Sequence, residues 1–133
     1  MFTQEHADHA NDILNFLKSE RVIHNQYSWV GVERLRIGRD NHVTEDNLCN
    51  TTMCVAGASV FLKEGLEGIN KALYSVTDDI FTFENKGTQN LGLTESQALV
   101  LFYETTEEEA LAALEAISMR DKTSLNEILF STD

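Results

Sequence analysis

Cys54 is the residue of this sequence best placed for nucleophilic chemistry. It ends the run Thr51-Thr52-Met53-Cys54, where the chain is expected to enter a helix. A thiol near a helix N-terminus has its thiolate favoured by the helix dipole. Ala56, Gly57, Ala58 and Ser59 follow, small residues like those on the crowded helix that carries the nucleophile in cysteine hydrolases. A nucleophile also needs a base within hydrogen-bond reach. His6, His9, His24 and His42 all precede Cys54, the reverse of the papain-like order. The simpler reading is a small buried thiol packed between helices, since cysteine is among the most buried residue types. On that reading Cys54→Ser costs stability, on the order of 1–3 kcal/mol, and not activity.

Metal binding is the second chemistry open to these residues. His6 and His9 stand three apart on an expected helix, and Cys49 and Cys54 can supply two sulfur ligands. The Cys-x4-Cys spacing is wider than most zinc knuckles, and His-x2-His is shorter than most finger pairs. Both histidines can equally lie on a helix rim. Thr51 and Thr52 crowd a helix start, but neither Gly-x-x-x-x-Gly-Lys nor Gly-x-Gly-x-x-Gly occurs, so capping explains them better. No cofactor is expected. Glu104, Glu107, Glu108 and Glu109 read as a solvated first turn, where carboxylates favour the positive helix end. Tyr27 and Trp29 either anchor a partner or plug the core from a loop, and the second is the commoner use of a lone Trp.

Charge sets the outer limits. Ten Lys and Arg stand against 22 Asp and Glu, a net charge of −12. Residues 101–133 carry 2 basic and 8 acidic groups, so they alone supply −6 of it. Such a surface repels phosphates and anionic lipid, which argues against a direct nucleic-acid or membrane role. Solubility is the plain explanation of the acid. The sharper one is an acidic decoy that imitates DNA towards a basic partner, and there Glu107, Glu108 and Glu115 are the first candidates. No apolar run approaches the roughly 20 residues of a membrane span. The opening MFTQEHADHAND lacks the basic and apolar regions of a secretory signal, so a cytoplasmic location is expected.

The elements that must position these residues are mostly helices. Residues 3–20 have Thr3 as a cap and Ala10, Ile13, Leu14 and Leu17 at helical spacing. Residues 22–50 are irregular, with a short strand pair or bulged strand expected within 28–40. A second helix is expected from Thr51 or Thr52 to about Glu64, where Gly65 and Gly68 bracket a break before a further turn or two at Ile69–Tyr74. Residues 76–90 read as a loop with a short apolar piece at 80–83, and 76–84 is the alternative place to 28–40 for the minor β element. Thr94 and Gln97 form a capping box before the helix to Tyr103. Thr105 or Thr106 opens the next, with Ala110, Ala113, Leu114 and Ile117 inward and Glu107, Glu108 and Glu115 towards water. A last short helix is expected near Thr123, burying Leu125, Ile128 and Leu129.

The stretch Cys49-Asn50-Thr51-Thr52-Met53-Cys54-Val55-Ala56-Gly57 resembles a motif of small uncharacterised bacteriophage and bacterial proteins, Cys-(Gly/Asn)-Thr-x-x-Cys-x-Ala-Gly. In that group an LGLT…A…LF helix follows, and Leu91-Gly92-Leu93-Thr94, Ala98 and Leu101-Phe102 are similar to it, as is Thr106–Ile117 to the capped helix after that. Ala58 stands where the group commonly carries Trp or His. The resemblance, over residues 49–117, implies an origin and a helical fold and no particular chemistry.

The reading as a whole is a mainly α chain, a compact single domain over 1–133 with about five helices and a minor short β element. Its function is expected to be that of a non-enzymatic phage-type accessory protein acting on a host or phage protein, with a homo-oligomer open. The alternatives are the DNA-mimicking inhibitor and a thiol- or metal-dependent enzyme.

Overall fold

The computed structural model describes residues 2–19, 21–24, 26, 30–32, 51–73 and 82–130. Among them six helices and three short strands follow one another: α1 (Gln4–Lys18), β1 (Ile23–His24), β2 (Val30–Val32), β3 (Thr51–Met53), α2 (Val55–Leu73), α3 (Thr82–Leu91), α4 (Glu95–Tyr103), α5 (Glu107–Ser118) and α6 (Lys122–Phe130). The mainly α expectation holds, with six helices in place of about five. No helix among the described residues is long and apolar enough to cross a membrane.

Three helices begin with the same device. The hydroxyls of Thr3, Thr94 and Thr106 accept the backbone N–H of the residue three further on. The side chains of His6, Gln97 and Glu109 reach back to the threonine N–H. Each box satisfies two amides that the helix leaves without intrahelical partners. α6 starts instead from Asp121, whose carboxylate accepts the Ser124 N–H at 3.0 Å. α5 ends in a Schellman turn: Arg120 N–H reaches Ile117 C=O, Asp121 N–H reaches Ala116 C=O, and Arg120 takes the left-handed φ of 57°.

Two expectations fail here. Thr51 and Thr52 were expected to open a helix, and they lie in β3, the central strand of the sheet β1-β3-β2. β3 runs parallel to β1 (Ile23 opposite Thr52) and antiparallel to β2 (Val30 opposite Met53). Two β-branched residues in succession suit a strand better than a first helical turn. β2 does fall within the 28–40 segment expected to carry a strand. The second failure is at residues 76–90, expected as a loop, where α3 occupies Thr82–Leu91. Its Gly87 is the reason: a Cβ there would stand 2.9 Å from Phe102 Cζ and 3.3 Å from Ala56 Cα. The missing side chain lets α3 lie directly on the small-residue face of α2.

The break in α2 sits at Gly65 itself, at φ 72° and ψ −168°, a conformation open essentially to glycine alone. One apolar cluster joins all six helices and β3, with Ile13, Met53, Val55, Ile69, Leu101 and Leu114 fully buried in it. α1 packs on α5, α2 on α3, and α5 on α6.

Candidate functional site

Cys54 lies between β3 and α2, with its carbonyl accepting the first helical bond from Ala58 N–H at 2.9 Å. It is 1 % exposed. Burial pushes its thiol up to about 11, although the N–H groups of Gly57 and Ala56 at the helix start pull the other way. Desolvation therefore outweighs the helix end, and the group stays a neutral thiol near neutral pH.

A second polar side chain, Gln26, is wedged beside the same helix start. Its Oε1 accepts the Val55 N–H at 3.0 Å and lies 2.8 Å from His24 Nε2. Its Nε2 donates to Leu101 C=O at 3.0 Å and to Thr105 Oγ1 at 3.2 Å. Val55 N–H only donates and Leu101 C=O only accepts, so the amide has one orientation here. With Oε1 facing it, His24 carries its proton on Nε2. Gln26 N–H in turn donates to Glu107 Oε2 at 2.9 Å. That bond, with the N–H of Glu107 itself, holds the Glu107 carboxyl below its ordinary range. Burial lowers His24, against the opposing pull of Gln26 and Glu107. The knot fastens β1, α2, α4 and α5 to one another.

A third cluster joins α1, α2 and α3. His9 Nε2 lies 2.7 Å from Ser59 Oγ, and Asn90 Nδ2 donates to the same oxygen at 3.1 Å. Burial, then Lys63 and His6, lower His9 to about 4, so its ring is neutral. A serine within reach of a neutral histidine is the geometry of an activated nucleophile. Ser59 is nevertheless 0 % exposed, and no substrate can reach it without α1 moving off α2. His9 borders an open groove of about 600 Å³ whose charges are mixed, Glu5, Asp8 and Asp12 against Arg21 and Lys63.

The described candidate metal ligands, His6, His9 and Cys54, are not brought together. His6 accepts the Thr3 N–H through Nδ1, His9 faces Ser59, and Cys54 sits at the α2 start. Among the described residues no group of three His, Cys, Asp or Glu stands close enough to hold a metal ion. Cys49, Tyr27, Trp29 and His42 lie outside the described residues. Sequence reasoning missed Gln26, Ser59 and Asn90; the run of small residues at 56–59 was the one hint, because it announced a close neighbour.

Of the acidic candidates, Glu108 and Glu115 are exposed, while Glu107, expected towards water with them, is tied to Gln26. Glu108 and Glu115 border two shallow hollows of about 440 and 320 Å³ where α5 meets α6, which share Ala112 and Ile128. Met119 stands at the end of this face, 67 % exposed, and Phe130 on α6 is 43 % exposed. Compared with known proteins, the chain matches no family model, no curated protein and no solved structure.

Proposed function

We propose that this chain is a non-enzymatic accessory protein of phage type that acts by contacting another protein, and that the α5–α6 face makes the contact. The observation that carries the reading is the placement of side chains. Cys54, Ser59 and His9 are buried and hold helices together, whereas Met119 stands in water beside Ala112 and the half-buried Ile128. Large apolar side chains grouped on one exposed face mark interaction surfaces. The resemblance to small phage and bacterial proteins supports the phage-type origin.

A second reading, the DNA-mimicking inhibitor, draws on the same face, because Glu108 and Glu115 lie two helical turns apart on α5 with Glu127 across from them on α6. The apolar floor between those carboxylates favours the first reading, since a mimic of phosphates has no use for it.

Affinity capture from a bacterial lysate tests the proposal, with the whole chain as bait and any retained protein then purified and mixed with it. A complex of defined stoichiometry in sedimentation supports contact. Retention that vanishes when DNA competes favours the mimic. Nothing retained above an acidic control protein counts against both.

A further inference from the structure

We infer that the groove between α5 and α6 is the docking site for a basic amphipathic helix of another protein, an assignment that rests on the protein-contact reading above. The floor of the groove is apolar and low. Ala112 and Ala116 on α5 and Met119 at its C-cap succeed one another at i, i+4 and i+7, and Ile128 faces them from α6. Alanines on such a stripe let a third helix axis approach to the usual 8–10 Å. Met119, mostly in water, is an adaptable side chain suited to fill the gap above them.

The rim identifies the occupant. Glu108, Glu109, Glu115, Asp121 and Glu127 are the charged residues lining the two hollows, and all are acidic. Glu109 caps α5 and Asp121 caps α6. The carboxylates of Glu108, Glu115 and Glu127 have no hydrogen-bond or ion-pair partner among the described residues. Three uncompensated carboxylates around an apolar floor call for Lys or Arg flanking an apolar stripe. Glu108 and Glu115 are seven residues apart on one helix, roughly 10 Å, which matches cations two turns apart on a partner helix. A peptide added as a strand needs an open sheet edge, which two packed helices do not offer, and a polyproline-type segment docks on aromatic side chains, which neither hollow has. A second copy would bring another net charge of −12 against the same acid, so the occupant is a different chain.

The probe is a labelled peptide of about 18 residues made of Leu, Ala and Lys, its lysines flanking one apolar stripe. Binding to the whole chain is followed by fluorescence anisotropy at about 50 and 500 mM salt. Saturable 1:1 binding is expected at low salt, and none with a Glu-for-Lys version of the peptide. Glu108→Gln, Glu115→Gln and Glu127→Gln together should raise Kd roughly tenfold or more at low salt, with the gap closing at high salt. Met119→Glu should weaken binding at both salts. Circular dichroism confirms that each variant keeps its helices. A matched set at exposed positions elsewhere, Glu5→Gln, Glu67→Gln and Glu95→Gln, should change Kd less than about threefold at the lower salt, where the groove variant loses most. Equal loss in the two triple variants would reduce the effect to net charge and overturn the assignment, as would an unaffected Met119→Glu. So would a dimer of the free chain that Met119→Glu dissociates. A lysate protein retained equally by the wild type and the groove triple variant would overturn the groove and leave the contact reading standing; no retained protein at all would remove both.

Discussion

Replacing Gln26 by Met removes four hydrogen bonds at nearly constant shape, and the structure says which of the lost partners matter. Leu101 C=O keeps the Thr105 hydroxyl at 2.7 Å, so that carbonyl is not orphaned. Val55 N–H is different. It belongs to the first turn of α2, where no intrahelical acceptor exists, and Val55 is fully buried. A buried donor left unsatisfied costs about 1–3 kcal/mol. His24 Nε2, half-buried, loses its acceptor as well and adds about 1 kcal/mol. The sum is about 2–4 kcal/mol, a large part of the 5–15 kcal/mol that keeps a domain folded. Urea unfolding at neutral pH measures the loss, and exchange of the Val55 amide should accelerate beyond what global stability explains. A loss under about 0.5 kcal/mol with Val55 still protected would show that water or a rearranged chain takes over the amide's bonds.

Acid should weaken the fold before it reaches carboxylate pKa values. His9, lowered to about 4 from 6.5, takes up a proton more readily unfolded than folded, so stability declines as pH falls from about 6.5 to about 4. The full shift would be worth roughly 3 kcal/mol, and the open groove beside the ring cuts that to about 1–2 kcal/mol. His24 acts in the same direction, and Glu107 adds its share only in the carboxylate range. Denaturant titrations of the wild type and His9→Leu across that window check this, the variant showing the shallower slope. Cys54→Ser should be milder than burial alone suggests, about 1 kcal/mol or less, because Ala56 and Gly57 N–H groups await an acceptor there. Cys54→Val, which deprives them, should cost about 1–3 kcal/mol in the same melts. In a Cys49→Ser background, a thiol reagent should label the folded chain only as fast as it unfolds. Gly87→Ala should cost about 1–3 kcal/mol through overpacking against Phe102 and Ala56, and Gly65→Ala a similar amount through backbone strain alone, since nothing lies within 4 Å of its absent side chain.

Most of the helical frame is written locally. Thr94 with Gln97 is a signal four residues long, and the hydrogen bonds it announces are present; Thr106 with Glu109 closes the same box where only a helix start at Thr105 or Thr106 was expected. Thr3 was legible as a cap although its box is closed by a histidine, since the hydroxyl does the same work for any residue after it. α3 was illegible for the opposite reason. Thr82, Gly87 and Thr88 are poor helix formers, and the segment is helical because Gly87 fits against Ala56, a contact across 31 positions that no local pattern records. β3 depends on partners at 23–24 and 30–32 in the same way.

The polar clusters were hidden by distance along the chain as well. Gln26 meets residues 29, 75, 79 and 81 positions away, and His9 meets Ser59 at a separation of 50. Reading for chemistry nominated Cys54 and His9 because such residue types carry chemistry when exposed, and the fold uses both inside. A different kind of legibility belongs to α5. The inward positions were readable from period alone, which leaves 108, 112, 115 and 119 as the outward stripe. A helix that only needed water on that side would carry polar residues at all four. This one alternates Glu108, Ala112, Glu115 and Met119 and leaves Met119 67 % exposed. Solvation accounts for the glutamates; the proposed partner, burying apolar area and bringing cations, would account for the alanine and the methionine as well.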